Sequence, residues 1–386
     1  MRNMPTVLVV SSLAKSLVHF RGEFLRSLTS AGYQIVCTAP DFPEEVSREL
    51  DDIGAEWVNF PLARAGLDPL TDFRTFLALR RLITERSIDL VFPYNIKPVI
   101  YGSLAARSLG VPVVALITGL GFTFSGASLK ARCLRPLTTL LYRTAISPGT
   151  GVIFQNPDDQ ALFLANGLVG EKKPQWLVGG SGVDLQHYPC KTTYSKAPRI
   201  KFLLLTRLIE EKGVRLYLEA ARALKQRFPA AEFHLVGRVE QTPSAIDEAE
   251  LKHAHDEGVI VFHGRSDSAH AALELCDVFV LPSFYREGVP RSLIEALSAG
   301  LPIITTDTPG CRETVVDSEN GVLVPPRDGQ ALISALEDLL HDPTRIPAMG
   351  AASRRLAESQ FDVHAVNRTQ LDAVSFVIEH SFDRAT

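Results

Sequence analysis

The chain has 386 residues, more than one ordinary hydrophobic core accommodates and enough for two domains. With 46% hydrophobic and 22% charged residues and no low-complexity tract, it has the composition of a soluble globular protein, and no apolar run reaches the roughly 18 residues of a membrane-spanning helix. A formal net charge of −4 argues against a nucleic-acid-binding protein, and the five scattered cysteines (Cys37, Cys133, Cys190, Cys276, Cys311) argue against a disulfide framework or a zinc site.

Met1-Arg2-Asn3-Met4-Pro5 leads straight into the strand-like run Thr6-Val7-Leu8-Val9-Val10. That run is too short for a signal-peptide apolar region and no small-residue cleavage site follows it, so a cytoplasmic protein is expected. From there, apolar β-branched runs alternate with segments of helical period, the βαβ signature of parallel sheets. In the first half the pattern predicts strands near 6–10, 34–38, 56–60, 89–93, 112–117 and 151–154, and helices near 20–31, 44–53, 71–86, 100–109, 128–145 and 157–166. Within it, Leu90–Pro157 contains no Asp or Glu but six basic residues, Lys97, Arg107, Lys130, Arg132, Arg135 and Arg143, in a chain with 44 acids. Two readings stand side by side: buried strands with a solvated basic helix, or a surface facing anionic lipid or a pyrophosphate-bearing acceptor.

Asp184–Pro198 is polar, carries Pro189 and Pro198, and lacks apolar periodicity, which places the domain junction there. Beyond it, strands are predicted near 200–205, 232–236, 258–262, 277–281, 301–305 and 321–324. Helices are predicted near 213–227, 244–256, 268–275, 290–299, 311–317 and 328–341. In the tail, Val366, Leu371, Val374, Val377 and Ile378 stand at helical spacing. The expected fold class is α/β: two Rossmann-like doubly wound domains, 1–188 and 199–362, with a last helix in 363–386 packing back on the first. Open parallel sheets bind ligands at the carboxyl ends of their strands, so two such domains are expected to face a central cleft.

The densest chemical signal is Leu281-Pro282-Ser283-Phe284-Tyr285-Arg286-Glu287-Gly288-Val289-Pro290-Arg291-Ser292-Leu293-Ile294-Glu295. A strand ends, a loop carries Glu287, and Gly288, Val289 and Pro290 lead into a helix that holds Glu295 more than a turn inside. Carboxylates accept hydrogen bonds from sugar hydroxyls, while the free N–H groups of a helix's first turn favour an anion, so the pattern suits a ligand with both hydroxyls and phosphates. After the first strand of the second domain comes Leu205-Thr206-Arg207-Leu208-Ile209-Glu210-Glu211-Lys212-Gly213, where Arg207 can fork onto phosphate oxygens and Lys212 adds a point charge. Gly237-Arg238 and His263-Gly264-Arg265 each end a further strand; a lone His263 reads as packed. In the first domain, Asn95, Lys97, Thr118 and Gly119 stand after strands and are candidates for an acceptor side; for Lys97 and Thr118, plain loop structure weighs equally. No Asp-x-Asp follows a strand and no His/Cys spacing suits a metal, so none is expected; fixed cations and a helix N-terminus can neutralise a leaving diphosphate.

Glu287 and Glu295, set in Val280-Leu281-Pro282-Ser283 and Glu295-Ala296-Leu297-Ser298-Ala299-Gly300, together with Arg-Leu-x-x-x-Lys-Gly at 207–213, resemble the retaining GT-B glycosyltransferases of family 4, whose mark is Glu-x7-Glu. The resemblance implies the GT-B fold, a first domain for the acceptor and a second for a sugar nucleotide. It implies Glu287 beside the donor sugar, Glu295 on the ribose, Arg207 and Lys212 on the diphosphate, the Arg265 loop near the nucleobase, and Gly237 among the donor-binding residues. The loop Ser11-Ser12-Leu13-Ala14-Lys15 departs from the Gly-Gly loop of many relatives. Phe92-Pro93-Tyr94-Asn95-Ile96-Lys97, Thr118-Gly119-Leu120-Gly121-Phe122 and Thr306-Asp307-Thr308-Pro309-Gly310 look like the subgroup acting on polyprenyl-diphosphate-linked saccharides. The expected activity is metal-independent, retaining transfer of a hexose or N-acetylhexosamine from an NDP-sugar, with UDP the favoured nucleotide though no side chain distinguishes a uracil from a guanine edge. The expected partners are the sugar nucleotide and a polyprenyl-linked or other glycan acceptor, with peripheral contact to the inner face of the cytoplasmic membrane through the basic segment 97–143. The alternatives are a non-hydrolysing sugar-nucleotide epimerase and a non-enzymatic two-lobe sugar-binding protein.

Overall fold

The computed structural model describes residues 4–62, 68–124, 129–146, 149–240, 242–266 and 268–382; the side chains at 122, 123, 129–132, 381 and 382 lie outside the description. The chain divides into two units, Met1–Ser181 with Val363–Thr386, and Gly182–Asp362.

The first unit holds β1 (Thr6–Val10), β2 (Gln34–Ala39), β3 (Glu56–Asn59), β4 (Leu90–Pro93), β5 (Val113–Ile117), β6 (Thr150–Phe154) and β7 (Gln175–Leu177), all parallel, in the order β3-β2-β1-β4-β5-β6-β7. The second holds β8 (Lys201–Leu205), β9 (Glu232–Val236), β10 (Val261–Phe262), β11 (Val278–Leu281), β12 (Ile303–Thr306) and β13 (Gly321–Val324) in the order β10-β9-β8-β11-β12-β13, again parallel. Helices cover both faces of such sheets, so the central strands are buried throughout, and Val7–Val10 and Val278–Leu281 are fully inaccessible. In each unit the strand order reverses beside the first strand. The switch points are therefore β1/β4 and β8/β11, and the loops leaving those strands at their carboxyl ends lie next to one another.

The predicted helix 20–31 is Gly22–Ser30, and a further helix not predicted, Ala14–His19, precedes it, with Arg21 buried at their joint. The run 258–262 gives only two paired residues, because Gly258 takes φ +71° to close the preceding helix. Residues 311–317 form a single 3₁₀ turn, Arg312–Thr314, and β7 and the short helix Gly121–Phe124 are too brief to carry a periodic signal. The segment read as the junction belongs to the second unit: Tyr188 is buried, Tyr194 donates its hydroxyl to the Gly300 carbonyl (2.7 Å) and Ser195 its amide to Asp277 (2.8 Å). The boundary falls earlier, between Ser181 and Gly182.

Val363–Phe382 is one helix that packs on the Gly22–Ser30 helix and on β5 and β6. Val366, Ala373, Val374, Val377 and Ile378 are buried in the first unit's core, and Tyr33 and Ser375 share a hydrogen bond of 3.0 Å. Gly151 on β6 lets the helix sit close, since a Cβ there would lie 2.8 Å from Trp176 and 2.9 Å from Val377. Larger aliphatic side chains contribute about 1.5–3 kcal/mol each on burial, so this helix supplies stabilisation comparable to that of a whole domain. Truncation after Asp362 should therefore abolish cooperative unfolding of the first unit, measured by thermal denaturation and limited proteolysis. A truncated chain that melts like the full one would show that the helix is an accessory.

Candidate active site

In the second unit the loop after β8 runs through Arg207 into the 3₁₀ turn Glu210–Lys212, and Gly213 then caps the helix Val214–Arg227. Lys212 is 5% exposed and donates its ammonium to Oε1 of Glu287, in the loop after β11. The two loops are tied by backbone as well: the Phe284 amide donates to the Glu211 carbonyl at 2.9 Å, and Ser283 Oγ lies 3.3 Å from the same oxygen and 3.4 Å from Glu287 Oε1. Gly213 makes this approach possible. It takes φ +74°, and a Cβ there would stand 2.2 Å from the Pro282 carbonyl oxygen.

Gly288, Val289 and Pro290 are buried, Pro290 serving as N-cap of the helix Arg291–Ser298 one residue ahead of its first turn. Gly310, at φ +83°, closes over Gly288, where a Cβ would come within 1.4 Å of the Gly288 carbonyl oxygen. Glu295 is 7% exposed; its Oε1 accepts from Arg291 Nε (2.8 Å) and from the Tyr188 hydroxyl (3.0 Å). Burial, and then the charge of Glu295, push the Tyr188 phenol up, so it stays a donor. Tyr188 is held in turn by its carbonyl, which accepts from Ser298 Oγ (2.8 Å) and Arg354 Nη1 (3.0 Å).

Arg207 is exposed, with its guanidinium 6.0 Å from the centroid of the Tyr285 ring. Gly237 donates to the Gly264 carbonyl (2.8 Å) and a Cβ there would lie 2.1 Å from the Thr206 carbonyl oxygen, so the loops after β8, β9 and β10 meet on one glycine. Arg265 is exposed beside it. His263 is not isolated: its ring stacks on His234 with Nε2 2.9 Å from Nδ1, and desolvation lowers both imidazoles below the ordinary histidine value. Among the described residues no group of three or more His, Cys, Asp or Glu side chains is placed to hold a metal.

In the first unit, three loops meet at the β1/β4 switch point. Asn95 takes φ +71° and leaves its helix uncapped; its side chain instead accepts from Ser12 Oγ (3.0 Å) and lies 3.4 Å from Thr118 Oγ1, with Gly119 at φ +105° beyond. Lys97 stands apart. Its ammonium donates to Asp72 Oδ1 at 2.7 Å, joining the helices Pro69–Glu85 and Ile96–Arg107 with both side chains nearly buried. Sequence reasoning missed Ser12, Tyr188 and Ser283; a strand end announces Ser12 and Ser283, whereas nothing local announces Tyr188.

Residues 19–173 match the model of the glycosyl transferase 4-like domain and residues 199–342 that of the glycosyl transferases group 1. Among curated proteins the chain is 28% identical, over 86% of its length and 89% of the other's, to N,N'-diacetylbacillosaminyl-diphospho-undecaprenol alpha-1,3-N-acetylgalactosaminyltransferase of Campylobacter jejuni. It is 27% identical, over 71% of its length and 72% of the other's, to UDP-Gal:alpha-D-GlcNAc-diphosphoundecaprenol alpha-1,3-galactosyltransferase of Escherichia coli. Among solved structures it shares the fold of sucrose-phosphate synthase from Thermosynechococcus elongatus, with a TM-score of 0.79 at 17% identity over 97% of this chain and 100% of that one.

The close approach at Gly213 is testable against an internal control. Gly258 has nearly the same φ, +71°, but nothing within 4 Å of its would-be Cβ. Gly258→Ala should cost about 1–2 kcal/mol from backbone conformation alone, and Gly213→Ala clearly more by chemical denaturation. Equal losses would mean the two loops are not tightly apposed.

Proposed function

This chain belongs to the group 1 glycosyltransferases, with a glycosyl transferase 4-like domain ahead of the matched domain and the GT-B fold, and on that premise we propose that it moves a hexose or N-acetylhexosamine, with retention, from a UDP-sugar to a polyprenyl-diphosphate-linked saccharide. One observation carries the reading. Arg207, Lys212, Glu287 and Glu295 stand on the two adjacent loops and the one helix that follow β8 and β11, in a chain matched over 86% of its length by a transferase whose name specifies a diphospho-undecaprenol acceptor. The UDP donor is supported by the name of the second relative.

In this proposal Arg207 and Lys212 take the donor diphosphate. Glu287 pairs with the buried Lys212 ammonium, and phosphate oxygens add acceptors where negative charge grows during bond cleavage. Glu287 lies by the sugar and favours the positive charge developing at the anomeric carbon. Glu295 orients the ribose through Oε2, which takes no hydrogen bond from the described residues while Oε1 is held. The Gly237 and Arg265 loops flank the nucleobase, and Gly288–Pro290 present the helix N-terminus to the diphosphate. The bond from the anomeric carbon to the diphosphate breaks, the acceptor oxygen bonds to the same face, and its proton passes to the departing diphosphate. Ser12, Asn95, Thr118 and Gly119 form the acceptor side; Lys97 contributes by fixing its helix through Asp72.

No helix among the described residues is long and apolar enough to cross a membrane. A lipid-linked acceptor then requires the protein to work peripherally at the inner face of the cytoplasmic membrane, through the basic segment 97–143. Of that segment, the Lys130 and Arg132 side chains lie outside the description. Arg135 sits 5.7 Å from the Phe124 ring, and Arg107 and Arg143 donate to the carbonyls of Thr144 (2.8 Å) and Asn166 (2.9 Å).

Given UDP-hexoses and a polyprenyl-diphosphate-linked saccharide, purified protein should lengthen the acceptor and release UDP. Conversion of the donor sugar without acceptor would replace this reading by epimerisation. Arg207→Ala and Lys212→Ala should each lower kcat/KM by about 10²-fold or more, since both act on charge that develops in the transition state. Normal turnover in either would remove this loop from the mechanism.

With the diphosphate neutralised by side chains and a helix N-terminus, excess EDTA should leave the rate unchanged. Loss of activity restored by Mg²⁺ or Mn²⁺ would show instead that a divalent ion takes that charge.

A further inference from the structure

The helix Pro69–Glu85 carries two apolar stripes where a surface helix has one. Its inner stripe, Thr75, Leu79, Leu82 and Ile83, is buried in the first unit's core. On the opposite side Leu70, Phe73 and Leu77, at spacings of three and four, are 61%, 58% and 46% exposed. The helix touches Ile96–Arg107, which touches Leu129–Ala145, so the three form one layer on the sheet. On the last of them Leu137 and Leu140 are again exposed, at 44% and 55%. Leu70, Phe73 and Leu77 form an exposed apolar stripe on one helix of this layer, and such a stripe calls for a cover.

Charge identifies the cover. The three helices hold nine basic residues against two acids, Asp72 and Glu85, in a chain whose net charge is −4. Asp72 is turned inward onto Lys97 and Glu85 is bridged by Arg81 at 2.6 Å, so neither leaves uncompensated negative charge on the outer face. Along the Pro69–Glu85 helix the apolar stripe occupies the first turns, and Arg74, Arg80 and Arg81 flank and follow it. An apolar stripe set in basic residues is the composition of an element lying in the plane of an anionic bilayer. We infer that this layer, with Leu70, Phe73 and Leu77 inserted below the headgroups, is the surface by which the protein docks on anionic lipid. The inference rests on the proposed lipid-linked acceptor for its purpose, and adds to the basic segment 97–143 a separate apolar anchor outside it. A second copy of this chain is the competing occupant, but two such layers would bring like charges face to face.

Vesicle co-sedimentation, with no donor or acceptor present, tests this independently of the transfer reaction. Wild-type protein should pellet with phosphatidylglycerol-containing vesicles, not with phosphatidylcholine alone, and less as salt rises. Combined Leu70→Ser, Phe73→Ser and Leu77→Ser should weaken vesicle binding on the order of 100-fold, with thermal stability and transfer to a short-chain, water-soluble acceptor retained. Combined Arg80→Glu and Arg81→Glu should weaken it and blunt the preference for anionic lipid. Binding by the triple variant equal to wild type, indifference of the wild type to lipid charge, or a wild-type dimer that the triple substitution dissociates would each overturn the inference. Failure of the transfer assay with vesicle binding intact would instead strike the proposed reaction.

Discussion

A lysine ammonium at 5% exposure governs the carboxyl edge of the second sheet. An unpaired buried cation costs several kcal/mol, enough to threaten a domain's margin, so Lys212 requires Glu287, and Glu287 can reach it only if the loop after β11 lies against the loop after β8. Side chains between the loops would hold them apart. The contact is therefore made backbone to backbone, with the Phe284 amide on the Glu211 carbonyl and no Cβ at Gly213 to meet Pro282. On its far side the same loop is met by Gly310, again without a Cβ, over Gly288. Two glycines that bear no chemistry thus determine where two charged side chains stand. The strand order does the rest, since only the reversal at β8/β11 makes these loops neighbours.

Much of this was legible in the sequence, for a physical reason. Strands buried on both faces must be apolar throughout, and runs such as Thr6–Val10 or Val278–Leu281 declare themselves without reference to the fold. Elements held by one face or by ends do not: β7 has three residues at a sheet edge, and the joint at Arg21 depends on how a buried guanidinium packs beside Tyr94, 5.5 Å from its ring centroid. Pairing across long separations is the other limit. Lys212 and Glu287 were nominated from separate motifs, and only the fold joins them across 75 positions. Lys97, a candidate for the acceptor side, finds its partner Asp72 on the preceding helix, outside the acid-free segment, so the charge asymmetry of that segment does not show the pair.

Tyr188 marks the limit most clearly. It belongs to a polar stretch without periodicity, which composition reads as linker, yet its hydroxyl is one of two groups that orient Glu295. Its position follows from contacts that no local pattern encodes: the two N–H groups of Arg354 Nη1 are shared among the carbonyls of Leu185, Tyr188 and Ser298, drawing the entering chain onto the end of the Arg291–Ser298 helix. In the role proposed for Glu295, on a ribose hydroxyl, the carboxylate must not rotate. Holding Oε1 between a guanidinium and a neutral phenol fixes its plane and leaves Oε2 without a hydrogen bond from the described residues, at the cost of burying an acid paired with Arg291. The helix Ile346–Leu356, which bears Arg354 and no candidate for the chemistry, thereby becomes part of the support of Glu295.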